Sequence, residues 1–280
     1  MSQPNQPKQG RMSAVVRMLY FGTEVKEWLA SPKKAYIEAY FLFPPDLAGD
    51  ILFGLDLEFW EGKENYIYGS SLAWMGSAFI SRSGLLGINF RGKDYYQGGV
   101  GIFTNVTLEP NVWYKLYEEL DFGKRKYVEF GAYGPGVDMS IDLRQYDICI
   151  SNESLTGTFP GPSLTFYTGA GKISNKEGGN VVYSDNVKAR IEISSGYETV
   201  LKDGFERQNE LIGWDFNKDG KIDEKDVSLA SNVTNWQEGV WYNEHPTSLT
   251  SIVTEPVYEG SHAVRHDSSP FKPGEERYGR

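Results

Sequence analysis

Apolar and polar residues alternate with a period of two along most of this chain. That spacing sets one face of a β-strand on a core and the other away from it. The cleanest run is "VYSDNVKARIEIS" (182–194), where Val187, Ala189, Ile191 and Ile193 alternate with Lys188, Arg190 and Glu192. "VDMSIDL" (137–143) and "YDICIS" (146–151) alternate likewise, and "SLTFYTGA" (163–170) is a short run of strand formers. "KAYIEAYFLFP" (34–44) is aromatic-rich and stops at Pro44-Pro45, and "ILFGLDLEFW" (51–60) follows after a short turn. "NVWYKLYEEL" (111–120) and "KRKYVEFGAYG" (124–134) read as paired strands across "DFG". "GSSLAWMGSAFISRSG" (69–84), small and polar at its edges, reads as a rim loop. Helical candidates are confined to "TEVKEWLAS" (23–31) and to 224–232. Glycine-rich joints at this spacing predict an all-β antiparallel sandwich rather than βαβ units.

An antiparallel sandwich of this size with 14% aromatic residues resembles the concanavalin-like jelly roll, the fold of laminin G-like modules and of many polysaccharide-active enzymes. The strands "AYIEAYFLFPP", "VWYKLYEELDF" and "VVYSDNVKARIEI" carry the resemblance, which spans residues 1–195. It implies that the last of these closes the sandwich. It also implies two opening strands, one with an apolar–Glu pair before a Trp and one of the type V-Y-E-G-S-x-A-V-R. Here both follow the closing strand, as "KDGFERQNELIGW" (202–214) and "EPVYEGSHAVRHD" (255–267). Residues 1–200 are therefore expected to form the body of the sandwich, and 201–280 its opening strands, permuted within the chain or exchanged with another copy. The competing expectation is that 200–280 begins a second, incomplete domain.

The segment "DFNKDGKIDEKD" (215–226) has the ligand order of a calcium loop. Asp215, Asn217 and Asp219 stand at positions 1, 3 and 5, Gly220 at 6, the Lys221 carbonyl at 7, Asp223 at 9 and Asp226 at 12. Calcium takes six to eight hard oxygens, which this set supplies. The loop resembles that of EF-hands, and more closely that of dockerin modules, which also close on Asp. It departs from both in lacking a convincing incoming helix and a second loop. The expected cofactor is Ca2+, in a structural role.

Composition narrows the function classes. A formal charge of −10 and a pI near 4.9 disfavour nucleic acid, whose phosphates demand basic patches. No apolar run reaches membrane-spanning length. Residues 1–13 lack the apolar core of a signal peptide, yet an acidic surface and a calcium loop suit an extracellular or cell-surface protein. Cys149 is the single cysteine, which excludes a disulfide framework.

Three sets of residues bear on chemistry. "GLDLEFWE" (54–61) resembles the catalytic strand of laminarinase-type hydrolases, Glu-x-Asp-x-Glu. Asp56 and Glu58 match its last two positions, while Gly54 stands where that resemblance would put the nucleophile. Asp56 and Glu58 are therefore expected on the solvent face of a strand, and no residue is assigned a catalytic role. His262 and His266, near Arg265 and Tyr278, form the nearest approach to a lyase-type base, and His245 completes the three histidines. Trp60 and Trp74, flanked by glycine-rich loops, are the candidate sugar-stacking residues. The resulting expectation is a non-catalytic, calcium-stabilised sandwich that binds glycan or assembles with copies of itself. A jelly-roll polysaccharide lyase or glycoside hydrolase is the rival.

Calcium is expected to raise the melting temperature, because a ligand held by the folded state alone stabilises it by mass action. Thermal melts with calcium and with chelator check this, and Asp215→Ala or Asp219→Ala should erase the difference.

Overall fold

A computed structural model of the chain describes residues 11–47, 51–61, 73–89, 99–151, 162–172, 181–208, 211, 237–243 and 250–268. The calcium loop 215–226, the helix expected at 224–232, His245 and Tyr278 lie outside the described residues. The strands are β1 (Arg11–Tyr20), β2 (Lys34–Leu42), β3 (Ile51–Trp60), β4 (Ala73–Ser81), β5 (Leu85–Asn89), β6 (Gly99–Phe103), β7 (Tyr114–Asp121) and β8 (Lys126–Gly134). They continue with β9 (Val137–Asp142), β10 (Cys149–Ser151), β11 (Ser163–Lys172), β12 (Val181–Ile193), β13 (Gly196–Asp203), β14 (Trp241–Asn243), β15 (Thr250–Val253) and β16 (Ala263–Asp267). One short helix, α1 (Lys26–Ala30), follows a 3-10 turn at Thr23–Val25, inside the helical span that the sequence predicts.

Among the described residues, two eight-stranded antiparallel sheets face each other. Sheet A runs β14-β1-β11-β3-β4-β5-β6, with β10 on β4, and sheet B runs β15-β16-β12-β2-β7-β8-β9, with β13 on β12. β11 is inserted between β1 and β3 in sheet A, while β12 lies beside β2 in sheet B. Late strands thus return to pair with early ones across both layers, which is jelly-roll connectivity. The expected fold class is the observed one.

The period-two patterns account for the inner faces. Val187, Ala189 and Ile191 of β12 are buried while Lys188, Arg190 and Glu192 are half-buried. From β3, Ile51, Phe53, Leu55, Leu57 and Phe59 join the large core between the sheets. Helix α1 closes one part of that core. Its Trp28 meets Phe59 and Phe122 edge-on at 5.5 and 5.4 Å and donates its indole N–H to the Lys34 carbonyl at 3.0 Å.

The 69–84 segment departs from expectation, since Ala73–Ser81 is not a rim loop. It is an interior strand, paired with β3 from Leu52↔Ser81 to Trp60↔Ala73. Its small residues serve close approach of the layers. A β-carbon at Gly76 would stand 2.6 Å from Leu120 Cδ1, so the glycine is where a sheet B side chain presses onto sheet A.

Residues beyond 200 contribute strands to both sheets: β14 pairs with β1, and β16 pairs with Val181–Ser184 of β12. The strand expected over 255–267 is shorter than its pattern, because 254–262 forms a bend. The reason is that carboxylates take the backbone donors there. Asp185 accepts the N–H groups of Tyr258 and Glu259 at 2.7 and 3.1 Å, and Glu206 accepts those of Ser261 and His262 at 2.7 and 3.0 Å.

His266 fixes β16 to the rest of the core. It is fully buried, and its Nδ1–H donates to the Ala14 carbonyl of β1 at 3.1 Å. Nε2 then accepts from the Ser184 hydroxyl of β12 at 2.7 Å, and Ser184 meets Thr168 of β11 at 3.1 Å. Both ring nitrogens are thus satisfied without a charge, and burial pushes the imidazole pKa down to about 3. The unfolded chain binds this proton near the ordinary histidine value of about 6.5. Stability is therefore lost as pH falls from that value toward the folded one, at up to about 1.4 kcal/mol per pH unit. His266→Leu should cost about 1–3 kcal/mol at neutral pH, since it strands the Ala14 carbonyl and the Ser184 hydroxyl. Denaturant titrations should show the gap to wild type narrowing as pH drops from 7 to 4.

Candidate functional site

Two sheet faces point away from the inter-sheet core, and they differ in kind. On sheet A, register aligns Tyr242, Arg17, Tyr167, Asp56 and Ser77 in one row across β14, β1, β11, β3 and β4. Thr165 and Glu58 stand in the adjacent row. Pleating alternates this face with Met18, Phe166 and Leu57, which belong to the core.

This face is not solvated. Asp56 is 4% exposed and Glu58 is 5% exposed, so the expectation that they form the wet side of a strand is corrected. The residues around them make their environment. Trp60, Leu19, Met75, Cys149 and Tyr242 pack into a second, smaller apolar cluster on this same side. Inside it the acids are bonded. Glu58 Oε2 accepts from the Tyr167 hydroxyl at 2.5 Å and from the Trp60 indole N–H at 2.9 Å, and the Ser77 hydroxyl donates to Asp56. Such donors are what a carboxylate needs in place of water.

Gly54 precedes this pair on the same face. A β-carbon there would stand 2.1 Å from the Ala78 carbonyl oxygen and 2.8 Å from Phe79 Cα. The ladder between β3 and β4 therefore leaves no room for a nucleophile at that position.

The candidate sugar-stacking tryptophans are both buried, Trp60 at 2% and Trp74 at 8% exposure. Trp60 lies in the small cluster just described, and Trp74 in the main core. The Trp74 ring is covered by the Arg125 guanidinium at 3.8 Å, while its N–H donates to Glu61. A sugar needs an open aromatic face, which neither indole offers in this arrangement. His262 and His266 also do not act together: His266 is sealed in the core, and His262 sits at the surface against Glu206 at 3.0 Å.

Aromatic rings also stack on the outside of sheet B, where Tyr36 and Tyr117 are buried and Tyr258 is exposed. Tyr36, Tyr117 and Tyr133 stack in succession at 5.5 and 5.7 Å, with the Arg190 guanidinium 4.1 Å above Tyr36. Their hydroxyls are engaged by acids, Tyr36 donating to Glu38 and Tyr117 to Glu129. Burial first, then these acids, push both phenol pKa values up. At one corner Tyr258 stacks on Tyr40 with ring centroids 3.7 Å apart, and Trp113 stands edge-on to it at 5.9 Å and 69°. Tyr258 is 42% exposed. Beside it, Asn186 donates its amide to Glu259 at 2.9 Å. Sequence reading passed over this corner because residues 40, 113 and 258 are brought together by tertiary structure alone.

One acid lies in the wrong place for any surface role. Glu118 of β7 shares the core-facing side with Leu116 and Leu120, is fully buried, and among the described residues has no hydrogen-bond partner on either oxygen. Burial, and then the nearby Asp56, raise its pKa well above the carboxylate range. Burial thus favours its neutral form.

No family model matches this chain, and no curated protein sequence does. Among solved structures it is similar to scytalido-glutamic peptidase with a transition state analogue inhibitor, at 9% identity and a TM-score of 0.37, covering 92% of this chain and 100% of that one. It is also similar to an alginate lyase from Pseudomonas aeruginosa, at 8% identity and a TM-score of 0.27, covering 54% and 60%. A heptameric SAP-like pentraxin from Limulus polyphemus is similar at 8% identity and a TM-score of 0.28, covering 65% and 71%. At that distance none of the three bears on what this chain binds. Among the described residues, no helix is long and apolar enough to cross a membrane and no cluster of three or more His, Cys, Asp or Glu is arranged to hold a metal ion.

Glu118 yields a test with a definite sign. Its folded pKa is raised, so its contribution is fully present below the ordinary carboxylate value of about 4.3 and is lost as pH rises above it. Glu118→Gln removes that loss. The melting temperature of the variant relative to wild type should therefore climb steadily between pH 4 and pH 8.

Proposed function

We propose that the chain is a non-catalytic glycan-binding β-sandwich, with the aromatic corner of Tyr40, Trp113 and Tyr258 as the place where a sugar ring stacks. The observation that carries this reading is the open face of Tyr258. Tyr40 backs one side of the ring and keeps it rigid, Trp113 forms a second wall, and the other side is free. Rigid aromatic area costs little conformational entropy on binding and matches the apolar C–H face of a pyranose. The Asn186–Glu259 pair beside it offers a donor and acceptors for ring hydroxyls. The formal charge of −10 favours neutral polysaccharides over polyanionic ones. The same reading keeps residues 215–226 as a structural calcium loop, with the chain working at or outside the cell surface. It also takes 201–280 as the opening strands of the same sandwich.

A second reading, a polysaccharide lyase or hydrolase, is favoured by a single observation. Arg17, Tyr167, Asp56 and Glu58 form an acid, phenol and guanidinium constellation on one face of sheet A. Its members are all buried, which leaves a polymer no described route to them.

Affinity electrophoresis and calorimetry across a panel of neutral and acidic polysaccharides test the first reading. Tyr258→Ala should weaken binding at least tenfold while lowering the melting temperature only slightly, since the ring is 42% exposed. Unaltered binding in that variant would remove the corner from consideration. Polysaccharide turnover that is lost in both Glu58→Gln and Tyr167→Phe would transfer the function to sheet A.

A further inference from the structure

The free strand edges of the two sheets are unequal, and β6 stands apart. β14 and β10 are three residues long and β15 is four. β9, "VDMSID", carries Asp138 and Asp142, and β13, "GYETVLKD", carries Glu198, Lys202 and Asp203. Shortness and charge are the usual devices that stop one sheet edge from pairing with another. β6, "GVGIF", has neither: five residues, no charge and no proline. Among the described residues it is paired on one side alone, with β5 from Leu85↔Phe103 to Asn89↔Gly99. Gly101 is exposed and Phe103 is 79% exposed, the most exposed large apolar side chain described.

We infer that β6 is the docking edge for a second copy of this chain, the two β6 strands pairing antiparallel about a twofold axis at Gly101. The sequence is self-complementary in that register. Gly101 meets Gly101, Val100 meets Ile102, and Phe103 of each chain stands opposite Gly99 of the other. Val100 and Ile102 already pack against the main core, so their cross-axis pairs extend that core from one copy to the next. Phe103 lies on the opposite face, over a position with no side chain.

This aromatic–glycine pairing is one the chain already uses. Tyr117 and Gly131 are direct cross-strand partners between β7 and β8. The tyrosine ring occupies the missing side chain's space, since a β-carbon at Gly131 would stand 2.1 Å from Tyr117 Cε1. Dimerisation by β6 would form that pair twice and give the exposed phenylalanine a partner. An isologous contact of this kind closes on itself, so it stops at two copies. It does not involve the aromatic corner or the residues after 200, and it stands or falls apart from the glycan reading.

Sedimentation velocity over a concentration series tests the inference. The wild-type chain should be a dimer whose melting temperature rises with protein concentration, and Phe103→Lys should weaken the dimer at least tenfold and remove that concentration dependence. Phe103→Tyr should keep the dimer. Under mild oxidation Gly101→Cys should give a covalent dimer, with Cys149 buried and out of reach. A monomer throughout the series, a dimer indifferent to Phe103→Lys, or assembly beyond two copies would each overturn it.

Discussion

The structure depends on how one strand shares its edge. β12 runs from Val181 to Ile193 and pairs with β2 along one side, while its other side is divided between β16 at Val181–Ser184 and β13 at Val187–Ile193. The division falls at Asp185 and Asn186, where the register against β2 also shifts and Asn186 takes a positive φ of 48°. Paired with Tyr40 of β2 but lying between β16 and β13 on its other side, Asp185 turns its carboxylate to the backbone N–H groups of Tyr258 and Glu259. A single irregularity therefore ends one strand's pairing, begins another's and anchors the bend that carries Tyr258. Burial works against the charge this requires and pushes the Asp185 pKa up to about 6, even with three backbone donors aimed at it. The backbone of the tail gains ordered acceptors at that cost.

Much of this was legible in the chain. The alternation of Val187, Ala189 and Ile191 with charged residues located β12, and the aromatic runs at 34–44 and 111–134 located β2, β7 and β8, because each has one apolar and one polar face. β4 was not legible, since Ala73, Gly76, Ser77 and Ala78 look like loop residues until the pressure of Leu120 on Gly76 explains why they are small. β1 was missed for the opposite reason. In "RMSAVVRMLY" the face of Met12, Ala14, Val16, Met18 and Tyr20 is apolar, but Val15 and Leu19 interrupt the polar residues Arg11, Ser13 and Arg17 on the other, so the period of two is weak. Asp56 and Glu58 were correctly placed together on one strand face, yet periodicity separates inner from outer without saying whether the outer face is wet. What covers that face, Trp60, Leu19, Met75 and Tyr242, comes from four separate strands.

The two outer faces are thereby suited to different tasks. Polar groups withdrawn from water need partners, and on sheet A the two acids have them: Tyr167 and Trp60 donate to Glu58, and Ser77 to Asp56. Such a network is costly to break, because removing one partner leaves another stranded in an apolar surround. It cross-links β3, β4 and β11 from the side away from the core and favours a fixed register over adaptability.

Sheet B stacks its aromatic rings on one another, with Tyr36 and Tyr117 buried, and places acids at their hydroxyls. Each such hydrogen bond orients a ring without using its π face, and in Tyr36 that face is covered by Arg190. Tyr258 differs from Tyr36 and Tyr133 in having no cation above it among the described contacts, and in sitting on the bend held by Asp185 rather than on a strand. Its ring is thus positioned by the same carboxylate that divides β12. Recognition at that corner, where it occurs, is coupled to how firmly the C-terminal strands are seated. A ligand gripping Tyr258 would stabilise the pairing of β16 with β12, and loosening of that pairing would release the ring.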